Sequence, residues 1–254
     1  MLCSLTMMQE AGQQVPQYEA PSIEKTMIIL YWTSRDIETP PAAPAWQRAY
    51  RHCTVFGDDD ILPLLPPDFV PIFQSIRLPS AKSDLARLLL LRKHGGLYID
   101  AHIGPTSPAR LLETLDALST HNLILFGQGW EIRTETDFHL MNGVLAARKG
   151  ADELDLLIRK IIHNIIEQHR REASTAEYVP YDLHHMTGTH VLIDVFFDTA
   201  PPSPRLKPDF EEKIHVHQMA DNQQSGFEIA AYYSYRKPNG HWSERQKNER
   251  FFLN

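Results

Sequence analysis

Two cysteines among 254 residues, Cys3 and Cys53, are too few for a disulfide framework. Reduced thiols in a cytoplasm are the expectation. No apolar run approaches the ~18 residues that a membrane-spanning helix needs. The opening MLCSLTMMQEAGQQ has neither the basic start nor the long apolar centre of a secretory leader. Basic charge is also scarce, and the formal net charge is −7. That argues against a nucleic-acid binder, which would show a basic stripe. No internal repeat is visible. What is present is an ordinary globular composition, 43% hydrophobic and 22% charged, at a length that suits one large α/β domain.

The chain is organised around Ser80 to Pro105, SAKSDLARLLLLRKHGGLYIDAHIGP. Its first half reads as a helix capped by Ser80, with Leu85, Leu88, Leu89 and Leu91 at helical spacing. Leu90 adds a further apolar side, so the helix is expected to be buried. Gly95 and Gly96 stop it. An alternating strand follows, with Leu97, Ile99 and Ile103 on one face and Tyr98, Asp100 and His102 on the other. Asp84 and Arg87 lie three apart among leucines. They read either as an i,i+3 ion pair or as part of a site. Asp100 and His102 read either as a polar strand end or as two metal ligands, an oxygen and a nitrogen. Both pairs within one short unit favour a site.

The string SDLARLLLLRKHGGLYIDAH resembles the core of the DXD-containing sugar transferases, which include mannosyltransferases, capsular and lipopolysaccharide sugar transferases and the glucosylating clostridial toxins. The shared pattern falls on Ser83, Asp84, Arg87, Gly95, Gly96, Tyr98, Asp100 and position 102, without gaps. Position 102 is His where the usual motif has a second Asp. An Asp-x-His metal motif is known in polypeptide GalNAc-transferases. The resemblance implies a GT-A type, Rossmann-like α/β sheet with helices on both sides. It implies a nucleotide-sugar donor, a UDP-sugar first, and retention of anomeric configuration. Asp100 and His102 would hold Mn²⁺ or Mg²⁺. Asp84 and Arg87 would contact the donor sugar in a pocket wet enough to leave each charge partly solvated. Tyr98 would order the ribose or the sugar.

The remaining elements follow in order. Residues 1–24, polar and rich in Gln, read as a loose tail before a catalytic domain spanning 25–254. Thr26 to Trp32 is the continuous apolar run of a buried parallel strand. Trp32 falls at its carboxyl end, where open α/β sheets bind ligands, and is either core packing or a platform for a nucleotide base. Asp58, Asp59 and Asp60 read as a helix start rather than a metal cluster. Ser107-Pro108 begins a helix and Asn122–Phe126 is a further buried strand. Gly127 to Leu140, with Trp130, Glu131, Asp137 and His139, reads as a substrate-side loop. Asn142 is a candidate substrate contact. Residues 151–170 form an amphipathic helix, with His163 and His169 expected in solvent. Thr187-Gly188 resembles part of a Thr-Gly-Pro signature of these enzymes and reads as an anion-facing turn or a plain helix start. Ile214–His217 reads as a half-exposed edge strand and Glu228–Tyr235 as a strand. Related enzymes close a His- and Trp-bearing C-terminal segment over the donor. Trp242 is therefore a donor contact, and His241 the first choice for a further metal ligand, with His217 second.

The expected partners are the donor and a glycan or lipid-linked acceptor, with a protein acceptor as second choice; no nucleic acid and no transmembrane segment are expected. The working place is cytoplasmic, at the membrane periphery, with a secreted effector as the alternative. The competing readings are a catalytically silent sugar-binding or scaffold protein and a metal-dependent phosphoester hydrolase.

Overall fold

The computed structural model describes residues 26–33, 39–128, 140–199, 205–219, 225–229, 232 and 240–253. The N-terminal tail, the acidic and aromatic residues of 130–139 and most of the expected strand at 228–235 lie outside these. In chain order the elements begin with β1 (Ile28–Tyr31), α1 (Ala43–Ala49), β2 (Cys53–Phe56), α2 (Asp58–Ile61), α3 (Val70–Ser75), α4 (Pro79–His94) and β3 (Gly96–Ile99). Then come β4 (Gly104–Pro105), α5 (Pro108–Leu115), β5 (Leu123–Gln128), β6 (Leu140–Ala147), α6 (Glu153–Ala173), α7 (Leu183–Met186) and α8 (Thr189–Phe196). The chain closes with β7 (Phe197–Asp198), β8 (Arg205–Leu206), β9 (Ile214–Met219), β10 (Phe227–Glu228) and α9 (Trp242–Arg245). Among the described residues no helix is long and apolar enough to cross a membrane.

Six strands make one mixed sheet in the order β2-β1-β3-β6-β5-β9. β1 runs parallel to β2 and β3, β6 runs antiparallel to β3 and β5, and β9 closes the edge parallel to β5. The uninterrupted apolar runs follow from this topology, since a strand covered on both faces needs no polar side. Alternation along each strand then divides two cores. Ile29, Tyr31, Tyr98, Leu125 and Leu145 pack under α4, α6 and α8, together with Phe251 and Phe252. Ile28, Leu30, Leu97, Ile99, Phe126 and Val144 pack against α1 and α5 around Trp46. The result is the Rossmann-like mixed sheet, with helices on both faces, expected from the sequence.

α4 is the buried helix the leucines predict, with Leu85, Leu88, Leu89, Leu90 and Leu91 all in the core. Its start differs from expectation. Pro79 takes the first helical turn and Leu78 is the cap residue, so the Ser80 hydroxyl caps nothing. Its end is as expected. Gly95 and Gly96 have φ of 69° and 103°, and a Cβ on Gly96 would lie 2.3 Å from the Met27 carbonyl oxygen. Only glycine lets the chain reverse that close to β1. In α6 the predicted stripe is buried at Leu154, Leu157, Ile161 and Ile165. His163 is exposed, but His169 packs edge-on against Phe252, with ring centroids 4.9 Å apart. The C-terminal segment covers that end of the helix. β9 is the edge strand, as expected, with His215 and His217 on one face.

Candidate active site

The strand expected through His102 stops at Ile99, where its ladder with β6 ends at Val144. Asp100 and His102 sit instead on a turn closed by the Ile103 amide donating to the Asp100 carbonyl at 3.0 Å. The turn puts the Asp100 carboxylate at the carboxyl end of β3, beside β6. The Asp100 amide donates to the Gly143 carbonyl at 2.8 Å.

Around Asp100 four elements converge into one polar network. Arg87 Nη2 lies 2.8 Å from Asp84 Oδ1 and 3.5 Å from Asp100 Oδ1. Its Nη1 donates to the Asn142 carbonyl, and its Nε to the Ser83 carbonyl at 3.1 Å. The guanidinium also sits over the Tyr98 ring, 5.0 Å from the centroid. A relay of hydroxyls runs beside it. Arg87 Nη2 donates to Ser83 Oγ at 3.2 Å, Ser83 Oγ and Tyr98 Oη are 2.8 Å apart, and Tyr98 Oη donates to Asp100 Oδ1 at 3.0 Å. Asp84 receives two further bonds, from Asn142 Nδ2 at 2.7 Å and from Thr187 Oγ1 at 2.6 Å.

Burial sets the charges. Asp84 and Arg87 are 6% and 3% exposed, so the expectation that each charge is partly solvated is not met. Arg87, Asn142 and Thr187 take the Asp84 oxygens in place of solvent. Burial pushes the Asp84 carboxyl up to about 6, against the pull of Arg87, Thr187 and Asn142. The Arg87 cation and the two donors on the Asp84 oxygens favour the ionised form. Burial alone would lower the Arg87 guanidinium, but Asp100 and Asp84 outweigh it and hold the cation. Burial, reinforced by the Asp100 charge, raises the Tyr98 phenol far above its usual range, so it stays a donor to Asp100. Asp100 is the open end of the network, with a quarter of its side chain exposed.

The structure thus brings together Asp84, Arg87, Tyr98, Asp100 and Asn142 from the residues picked out in the sequence. Trp32 directly follows β1, the neighbour of β3, and its amide donates to the Phe56 carbonyl at 2.9 Å. His102 is two residues past Asp100, and its carbonyl accepts from the Tyr232 amide at 3.3 Å. Trp242 and His241 lie on the C-terminal segment. Trp242 packs on His184 with centroids 4.8 Å apart, and His241 Nδ1 caps α9 by accepting from the Ser243 amide at 3.4 Å. His217 pairs with Ser225, Nε2 to Oγ 3.1 Å, under the β9 edge. Among the described residues no group of three or more His, Cys, Asp or Glu is arranged to hold a metal.

Three further participants, Ser83, Thr187 and Gly143, join Asp84, Arg87, Tyr98, Asp100 and Asn142. Thr187 was noted for its glycine neighbour, but the amides of Thr187 and Gly188 both bond the Leu183 carbonyl, and the threonine hydroxyl does the work on Asp84. Gly143 is required by space. A Cβ there would lie 2.7 Å from Asp100 Oδ2, the tip of a movable side chain. Gly143→Ala is therefore expected to melt within about 1 kcal/mol of the wild type, because the carboxylate can swing away. The Asp100 carboxylate should leave its bond with Tyr98, a displacement that a crystal structure of the variant would show. A carboxylate left in place beside an unchanged melting curve would contradict this role for Gly143.

Residues 6–122 match the model of the family described as the glycosyltransferase sugar-binding region containing the DXD motif. Comparison with curated proteins yields no match. Among solved structures, the PaToxG glycosyltransferase is 14% identical, over 68% of this chain and 68% of that one, with a TM-score of 0.40. The UDP-bound glycosyltransferase domain of the YGT toxin is 13% identical over 70% of this chain, with a TM-score of 0.37. This chain spans 56% of that domain. The 4-diphosphocytidyl-2C-methyl-D-erythritol synthase of Anaerococcus prevotii DSM 20548 is 11% identical over 77% of this chain and 88% of that one, with a TM-score of 0.34. The family match covers residues 6–122. That stretch, which holds the motif residues Ser83 to His102, is similar to the sugar-binding region of the DXD-containing glycosyltransferases, with His102 standing where the motif's second aspartate is usual.

Proposed function

We propose that the protein moves a sugar from a nucleoside diphosphate donor, a UDP-sugar, to an acceptor, with retention of configuration. The observation that carries this reading is the network joining Ser83, Asp84, Arg87, Tyr98, Asp100 and Asn142 at the end of β3. Five of these six are motif residues and the sixth, Asn142, is their predicted companion, and they meet where α/β sheets bind ligands. Asp100 presents the exposed carboxylate. Arg87, fixed from both sides by Asp84 and Asn142, turns a permanent positive charge toward it and toward an incoming diphosphate. Asp84 and Arg87 are the proposed donor-sugar contacts, reached from the Asp100 side. Tyr98, buried to 1% exposure, orients Asp100 rather than offering a surface to ribose. Trp32 and Trp242 are the proposed nucleotide contacts.

The donor set fits Mn²⁺ or Mg²⁺ in chemistry. Asp100 Oδ1 takes the Tyr98 and Arg87 contacts, while Oδ2 faces the space that Gly143 keeps open. The imidazole of His102 adds a nitrogen, which favours Mn²⁺. Asp100 and His102 would hold the ion; for His241 to join, Nε2 must serve, since Nδ1 caps α9. When bound, the ion neutralises charge gathering on the departing diphosphate. A lipid-linked acceptor would put the enzyme at the cytoplasmic face of a membrane; a protein acceptor, the second reading, would make it a secreted effector.

A thermal-shift panel of UDP- and GDP-sugars with Mn²⁺ tests the donor. The matching donor at ~100 times its dissociation constant is expected to add about 2.7 kcal/mol. No shift with any nucleotide sugar would contradict the reading. Binding without turnover would mark a silent sugar-binding protein instead, and cleavage of simple phosphoesters alone a hydrolase.

A further inference from the structure

α2 begins with three aspartates, and they divide their work. Asp60 turns back to its own helix start, accepting from the Gly57 amide at 2.8 Å. Asp58 turns inward instead. Its Oδ1 accepts from the Tyr31 hydroxyl, its Oδ2 from Lys82 Nζ at 2.8 Å, and Thr33 adds a further side-chain bond. Tyr31 and Lys82 are nearly buried, at 4% and 8% exposure, and the Lys82 ammonium lies 5.1 Å from the centre of the Phe73 ring.

The positions of these partners matter more than their number. Tyr31 and Thr33 flank Trp32 at the end of β1. Lys82 precedes Ser83 and Asp84 on α4. One carboxylate therefore ties together the two chain segments to which donor binding is assigned above. An apolar cluster could fill this space without the desolvation of two charges. A fully bonded polar network adds fixed geometry, which apolar packing gives less sharply.

We propose that Asp58 is a positioning residue for the nucleoside diphosphate, locking the Trp32 end of β1 to the first turns of α4. Asp58 itself need not touch the ligand. The proposal rests on the donor reading given above. Calorimetric titration with UDP and with GDP, in the presence of Mn²⁺, tests it on the full chain. Asp58→Asn is expected to weaken binding of the nucleotide that the wild type binds by about tenfold. Turnover at saturating donor should change less than about twofold, so the loss appears in KM. In a Trp32→Ala background the same change should lower affinity less than about twofold, because the group that Asp58 orders is gone. Tyr31→Phe keeps Lys82 and Thr33 on Asp58, so it remains informative if Asp58→Asn does not fold; about threefold weaker binding is expected.

Wild-type affinity in both Asp58→Asn and Tyr31→Phe would overturn the proposal. So would an equal loss from Asp58→Asn with and without Trp32, which is the mark of general softening. A wild type that binds neither UDP nor GDP would remove the donor reading and this proposal together. Binding by the wild type with unaltered variants removes this proposal alone.

Discussion

Arg87→Ala is expected to lose stability and activity together. The guanidinium holds two carboxylates, the Asn142 carbonyl, and both the carbonyl and the hydroxyl of Ser83. Removing it leaves Asp84 charged, 6% exposed and without its cation. Breaking a buried pair in this way costs about 3–5 kcal/mol. Asp84 can relieve part of this by taking a proton, because its carboxyl is already raised to about 6. Transfer by the folded fraction should fall by ~2 kcal/mol or more of transition-state stabilisation. Arg87→Lys separates the two losses. The charge remains, but one ammonium cannot reproduce the fork that spans Asp84, Asp100 and Asn142. A denaturant melt and an initial rate on each variant decide the matter. A melt unchanged in Arg87→Ala would show that the pair is solvated. Near-normal turnover of the folded fraction would show that the network serves the fold alone.

Asp100 should behave oppositely. It stands on a turn, partly exposed, and Arg87 keeps Asp84 when it is gone. Asp100→Ala is therefore expected to melt within about 1 kcal/mol of the wild type. Its transfer activity should drop by ~10²-fold or more, since the proposed cation, which would neutralise the diphosphate, loses its carboxylate. His102→Asp restores the usual motif. Activity should survive, with preference moved toward Mg²⁺ as an oxygen replaces a nitrogen. Retained Mn²⁺ preference in His102→Asp would mean that position 102 is not a ligand.

The contrast between Arg87 and Asp100 shows what the sequence could and could not reveal. Local pattern carried a long way. Leucines on every side of α4 marked it as buried, the Gly95–Gly96 pair marked its stop, and continuous apolar runs located β1 and β5. The motif spacing then selected Asp84, Arg87, Tyr98 and Asp100, which the fold does bring together. Burial of the pair was harder to read. Opposite charges at i,i+3 look alike in a wet pocket and in a dry core, and the difference lies in Asn142 and Thr187. Those partners are 58 and 103 residues from Asp84 in sequence. The Tyr31–Asp58–Lys82 cluster was hidden for the same reason, with 27 and 24 residues between its members. Asp58 looked like any acidic helix start. Alternation also overran the strand: Leu97 to Ile103 keeps period two, yet the β6 ladder ends at Ile99 and the chain turns. Strand pairing is set by the partner, which local pattern does not contain.

The central claim is that the Asp84–Arg87–Asp100 network activates a nucleotide sugar. The most direct measurement is release of UDP from a UDP-sugar without acceptor, compared between the wild type and Asp100→Asn under matched metal. Slow release by the wild type is expected, stimulated by Mn²⁺ and abolished by EDTA. In Asp100→Asn, with its melting curve unchanged, release should fall by ~10²-fold or more. Equal release by both proteins, or release indifferent to EDTA, would contradict the account.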